Sequence, residues 1–153
     1  MDKVYLFFLT FFFIGKIKYA PGTFASLITL FLWFCFVPFD INYQLSIIVF
    51  LLIFGLFLCY KYSLMKTDYH DPGFIVIDEV VGMSISLFML PKSLLIYLIA
   101  FIVFRILDIT KPLFILTSER VKGGVGIILD DVLSGILTVA FINILLENNI
   151  III

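Results

Sequence analysis

Apolar and polar positions divide the chain into five apolar runs, at 24–37, 45–60, 80–90, 94–104 and 127–146, each interrupted by only a few polar residues. Several are shorter than the ~20 residues a perpendicular helix needs to cross about 30 Å of hydrocarbon, so some must borrow length from their flanks. The run at 80–90 reaches that length only if its helix starts near Phe74, which carries Asp78 and Glu79 into the first turns of a membrane helix. Short breaks, Pro38 with Asp40 and Asn42, then Pro91 with Lys92, alternate with longer polar stretches at 15–22, 61–73 and 105–126. Alternating short and long connections imply two different sides of one layer.

Charge identifies the sides. Lys16, Lys18, Lys61, Lys66, Arg105, Lys111, Arg120 and Lys122 all fall in the long connections, whereas the short ones hold only Lys92. By the positive-inside rule the long connections are cytoplasmic, the runs thread alternately, and the tail at Glu147, Asn148 and Asn149 lies on the far side. Residues 4–14 are apolar but too short to span, so they are read as an interfacial or re-entrant helix. The predicted fold is all-α, an integral membrane bundle of about five transmembrane helices, formed as one domain over 1–153.

Composition turns this pattern into a membrane assignment. Of 153 residues 63% are hydrophobic and 14% charged, and the mean hydropathy is +1.25; a soluble domain this small could not bury so much apolar side chain. The net charge of −1 says little beside the arrangement of the charges. Cys35 and Cys59 sit inside apolar runs and read as small buried hydrophobes, not as a disulfide or metal pair. Gly15, Lys16 and Ile17 follow the first apolar stretch where a cleaved leader would have small residues, so that stretch is expected to be retained. No nucleic-acid partner is expected, and homo-oligomerisation is compatible with such a bundle.

Four polar constellations fall on the side assigned as cytoplasmic. Ala20-Pro21-Gly22-Thr23 opens an apolar run; it reads as an ordinary helix start, or as backbone amides and a hydroxyl offered to an anion. Asp71-Pro72-Gly73 leads to Asp78-Glu79 at the mouth of the next run, where adjacent carboxylates need a polar cavity, a cation or a basic partner. Arg105, Asp108 and Lys111 are spaced by three, which puts them on one helix face, either as an ion-pair ladder or as a grip on a phosphate monoester. Lys122-Gly123-Gly124, with Gly126, precedes Asp130-Asp131; the glycines expose amides that suit phosphate, although no Lys-Ser or Lys-Thr closes the loop as a Walker motif requires.

Carboxylates without a Cys or His ligand pattern select a hard cation, most simply Mg²⁺. Asp78, Glu79, Asp130 and Asp131, with Asp71, are the candidate metal ligands. Asp78, Glu79, Asp108, Asp130 and Asp131 are the candidate catalytic carboxylates, and Thr23, Arg105, Lys111, Lys122, Gly123 and Gly124 the candidate substrate contacts. His70, the single histidine, reads as incidental. Metal-assisted hydrolysis of a phosphate ester at a membrane surface follows from these residues.

The chain resembles the phosphatidylglycerophosphatase A family on Ala20-Pro21-Gly22-Thr23, on Asp71-Pro72 with Ile75-Val76-Ile77-Asp78-Glu79-Val80-Val81-Gly82, on Phe104-Arg105 with Asp108 and Lys111-Pro112, and on Lys122-Gly123-Gly124 with Gly126-Ile127 and Asp130-Asp131. The likeness spans most of the sequence. Ala25, Ile128 and Ser134 depart from the family pattern, where glycine, methionine and alanine are usual, and none of them removes a charge. The resemblance implies a Mg²⁺-dependent enzyme of the bacterial cytoplasmic (inner) membrane, its site facing the cytoplasm, that hydrolyses the phospholipid phosphatidylglycerophosphate to phosphatidylglycerol. Another lipid phosphomonoester would present the same group. CDP-alcohol phosphotransferases, which also use membrane aspartates and a metal, require an Asp-Gly and Ala-Arg signature not found here. A small ion transporter is the competing non-enzyme, but it would need charged stepping stones deeper in the bilayer.

Overall fold

The computed structural model describes residues 3–65, 73–111, 124–148 and 150, and among these it is entirely helical. Six α-helices follow one another: α1 (Lys3–Leu9), α2 (Pro21–Phe36), α3 (Ile41–Met65), α4 (Ile77–Ser86), α5 (Leu94–Thr110) and α6 (Gly124–Glu147), with a 3₁₀ turn at Ile14–Lys16. Each of the five apolar runs falls on one of α2 to α6. Two of the helices, α3 with 25 residues and α6 with 24, are long and apolar enough to cross a membrane. Large apolar side chains such as Phe31, Phe50, Ile53, Phe57 and Ile102 point outward, a surface that water would not tolerate over so wide an area.

The short helix α4 departs from the expected span. It begins at Ile77, not near Phe74, and stops after 10 residues at Ser86. The reason is its position: α4 sits in the middle of the bundle against α2, α3, α5 and α6, so eight of its residues are buried by protein. Beyond its C-terminus the backbone turns at Met89, which has a left-handed φ of 54°. The Met89 N–H donates to Gln44 Oε1 at 2.8 Å, and Gln44 Nε2 donates to Pro38 O at 3.1 Å. One buried amide side chain thus ties the α2–α3 and α4–α5 connections together at one end of the bundle, leaving neither backbone group orphaned.

Small residues let α4 approach its neighbours. A Cβ on Gly135 would lie 2.5 Å from the Gly82 carbonyl oxygen, and one on Gly82 would lie 2.7 Å from the Asp131 carbonyl oxygen, so α4 and α6 meet backbone to backbone. Three hydroxyls buried in this region are satisfied within their own helices: Ser84 donates to Val80 O at 2.8 Å, Ser86 to Gly82 O at 2.9 Å and Thr138 to Ser134 O at 2.7 Å. Ala25, Ile128 and Ser134, the positions that depart from the family pattern, are all buried in this packing.

The N-terminal segment does not span. Helix α1 has seven residues, and Phe11, Phe12 and Phe13 then take left-handed φ values of 41°, 56° and 66°, turning the chain back on itself. The Tyr5 hydroxyl donates to Leu58 O at 2.7 Å; burial, with Cys59 and Tyr62 nearby, pushes it up to about 12, so it stays a donor. The Val76 N–H donates to Leu9 O at 3.3 Å, and Gly15 packs directly on the Phe74 carbonyl. This turn therefore braces the stretch that delivers Asp78 and Glu79.

Candidate metal centre

The first turn of α4 supplies two acidic residues. Asp78 and Glu79 follow Val76, which offers no side-chain cap, and Asp78 Oδ1 instead accepts the Glu79 N–H at 3.1 Å. Negative charge is favoured at a helix start, where free amides carry partial positive charge. From α6 comes Asp131, two turns into the helix and brought alongside by the Gly82–Gly135 contact. One carboxylate oxygen from each of Asp78, Glu79 and Asp131 lies within 4.8 Å of the others. Asp78 and Asp131 are each 3% exposed, too buried for repelling carboxylates to be left to water.

The residues nearby sharpen the imbalance. Arg105 on α5 places a terminal guanidinium nitrogen 2.6 Å from Asp108 Oδ2 and 3.9 Å from Glu79 Oε1. Asp108 stands close enough to Asp131 and Glu79 to repel both. Arg105 thus lies between the carboxylates of Asp108 and Glu79. Glu79 Oε2 is buried and makes no hydrogen bond among the described residues. An orphaned, buried carboxylate oxygen within an all-oxygen group fits a hard divalent cation such as Mg²⁺.

Adjacent residues on a helix point about 100° apart, and this separates Asp130 from Asp131. Sequence alone placed all four paired carboxylates around one ion. In the structure Asp130 lies outside the group of three and its Oδ2 accepts from Lys111 Nζ at 2.6 Å. The helix face expected to carry Arg105, Asp108 and Lys111 together holds for the first two. Arg105 and Asp108 pair as their spacing requires, but α5 ends at Thr110 and Lys111 adopts a left-handed conformation, φ 40° and ψ 69°, that turns it towards α6.

The start of α2 closes another side. Pro21 has no N–H, and the first hydrogen bond across this end is Phe24 N–H to Ala20 O at 3.2 Å, so the Gly22 and Thr23 amides precede the ladder. Gly22 packs on the Glu79 carboxylate, and Thr23 is half-buried beside it. Gly124 has a packing role: it is buried against the backbone of Cys59 and Tyr60 on α3, a Cβ there falling within 2.5 Å of Tyr60 Cα. Asp71, Lys122 and Gly123, along with His70 and Arg120, lie outside the described residues. Gly22 was expected to offer its amide to an anion, but its contact with Glu79 and the packing of Gly82 and Gly135 were not foreseen; only their place in motifs beside the acidic residues marked them.

Comparison with known proteins converges on one family. The family model for phosphatidylglycerophosphatase A matches residues 7–146. The chain is similar to phosphatidylglycerophosphatase A of Escherichia coli K12, 37% identical over 128 residues, 81% of this chain and 73% of that protein. It is similar to the Haemophilus influenzae protein of the same name, 37% identical over 133 residues, 82% of this chain and 78% of the other. A Bacteroides thetaiotaomicron protein provisionally named phosphatidylinositol-3-phosphatase is 35% identical over 130 residues, 80% of each chain. No solved structure matches. With a matching family model over nearly its whole length, and relatives at this identity over about four-fifths of it, the chain belongs to the phosphatidylglycerophosphatase A family.

Proposed function

We propose that this protein is a Mg²⁺-dependent phosphatase of the bacterial inner membrane that hydrolyses phosphatidylglycerophosphate to phosphatidylglycerol and inorganic phosphate in phospholipid biosynthesis. The observation that carries the reading is the group formed by Asp78, Glu79 and Asp131, together with a buried Glu79 Oε2 that makes no hydrogen bond among the described residues. Family membership supports the lipid phosphomonoester as substrate. Helices α2, α3, α5 and α6 cross the bilayer as one domain over 1–153, with the ten-residue α4 set among them and shielded from lipid. The acidic group then faces the cytoplasm, on the side of the lysine-rich connections.

In this mechanism Asp78, Glu79 and Asp131 would hold Mg²⁺, which when bound would offset the charge of the phosphoryl group and favour deprotonation of the attacking water. Arg105, fixed by Asp108, and Lys111, fixed by Asp130, bind phosphoryl oxygens. The Gly22 and Thr23 amides at the start of α2 add fixed donors without rearrangement. A carboxylate of the group takes a proton from water as its oxygen bonds to phosphorus. The bond from phosphorus to the glycerol oxygen breaks, and that oxygen takes up a proton at the membrane face.

The test is phosphate release by the purified protein in detergent from phosphatidylglycerophosphate, phosphatidic acid and phosphatidylinositol 3-phosphate, each with Mg²⁺ or EDTA. The expected result is Mg²⁺-dependent turnover strongest on phosphatidylglycerophosphate. Preference for phosphatidylinositol 3-phosphate would move the assignment towards the activity named for the Bacteroides relative. Turnover that persists after exhaustive metal removal would overturn the metal-dependent mechanism.

A further inference from the structure

We infer that Gly22 is a positioning residue for the metal centre: its missing side chain leaves the space through which the Glu79 carboxylate reaches Asp78 and Asp131. This rests on the reading of those three carboxylates as a metal site.

The surroundings of the glycines separate two kinds of contact. A Cβ added to Gly82, Gly124 or Gly135 would meet backbone, at Asp131 O, Tyr60 N and Gly82 O respectively, so a larger residue there forces helices apart. A Cβ on Gly22 would instead overlap Glu79 Oε1 and lie 2.7 Å from its Cδ and 3.2 Å from its Cγ, all atoms of one side chain. Gly22 is buried in the first turn of α2, where alanine is a better helix former than glycine. Alanine at 22 therefore leaves the helix and its packing intact and displaces the end of Glu79. What opposes that displacement is the contact with Asp78, since Glu79 Oε2 has no hydrogen-bond partner among the described residues and Arg105 approaches Oε1 only to 3.9 Å. Glu79 rotates away and the group falls from three ligands to two. The glycine before Thr23 is thus read as a requirement of the ligand set on α4, a role separate from the amides that α2 offers to phosphate.

The test uses full-length protein in detergent, with Mn²⁺ as a paramagnetic probe of the Mg²⁺ site, thermal melting as a check on folding, and phosphate release as a second readout. Gly22→Ala is expected to weaken Mn²⁺ binding by about 10- to 100-fold, the range seen when groups that orient metal ligands are changed. Its melting temperature stays close to wild type, while Gly82→Ala, which meets backbone, melts lower. In a Glu79→Asp background, whose carboxylate ends one methylene sooner, Gly22→Ala should weaken Mn²⁺ binding less than about threefold further, because the two changes act through one contact. If Gly22→Ala alone does not fold, recovery of folded protein in the Glu79→Asp background supports the inference, and failure in both overturns it. Unchanged Mn²⁺ affinity in Gly22→Ala, or an equal loss in both backgrounds, overturns it while leaving the three-carboxylate site standing. Wild-type protein that binds no Mn²⁺ removes both readings.

Discussion

The two acidic pairs of this chain look alike and are used differently. Asp78 and Glu79 open a helix, where the backbone is still entering its first turn, and both carboxylates reach one centre. Asp130 and Asp131 lie in the second and third turns of a 24-residue helix, where the regular twist sends one towards α4 and the other towards Lys111. Both pairs carry the roughly 100° offset of adjacent helical residues; what differs is which neighbours each side chain meets. Of the second pair, only Asp131 belongs to the proposed ion; Asp130 pairs with Lys111, the cation proposed to meet the substrate.

The largest effects should come from the converging set. Asp131→Asn, Asp78→Asn or Glu79→Gln is expected to lower kcat by about 10²- to 10³-fold or more and to abolish Mn²⁺ binding. Thermal melting of each should stay near or above wild type, because a repelling buried charge has been removed. If all three retain substantial turnover, the centre is misassigned.

Asp130→Asn makes the sharper comparison. It should raise KM by about tenfold with kcat reduced far less and Mn²⁺ affinity unchanged, the signature of lost substrate binding and not of lost metal. Loss of Mn²⁺ binding in this variant would return Asp130 to the ligand set and erase the distinction between the pairs. Combining Asp130→Asn with Lys111→Gln should produce little beyond either change alone, since the two form one ion pair at 2.6 Å; fully additive losses would show that they act separately.

The smallest effect on catalysis is expected at the opposite end of the bundle, where the buried Gln44 amide is neutral and bonded at both its oxygen and its nitrogen. Gln44→Leu orphans the Met89 N–H, at about 1–3 kcal/mol for a buried group left unsatisfied, while the Pro38 carbonyl keeps the Asp40 N–H at 3.0 Å. The melting temperature should fall while kcat and KM stay near wild type. A large drop in kcat would show that the two ends are coupled through α4.

Much of this architecture was legible along the chain. Apolar runs at 24–37, 45–60, 80–90, 94–104 and 127–146 became helices at Pro21–Phe36, Ile41–Met65, Ile77–Ser86, Leu94–Thr110 and Gly124–Glu147, since hydrophobic runs and their Pro breaks are local signals. Membership of Asp78, Glu79 and Asp131 in one group was also foreseen, because buried carboxylates at a membrane boundary demand a common counter-charge. The short α4 was not. Nothing local shows that four neighbouring helices enclose it, and enclosure is what removes the need for a full-length span. The partner of Lys111 was missed for a similar reason: a spacing of three predicts a shared face only while the helix lasts, and α5 ends one residue too soon.

Sequence by itself determined the helical content, the kind of chemistry and the family, because hydrophobicity, charge and ordered motifs are properties of the chain in one dimension. Tertiary structure alone decided which carboxylates meet, which one turns to a lysine, and why glycine stands at 22, 82 and 135. Those answers depend on distances between segments remote in sequence, set by how closely backbones can pack where no side chain intervenes.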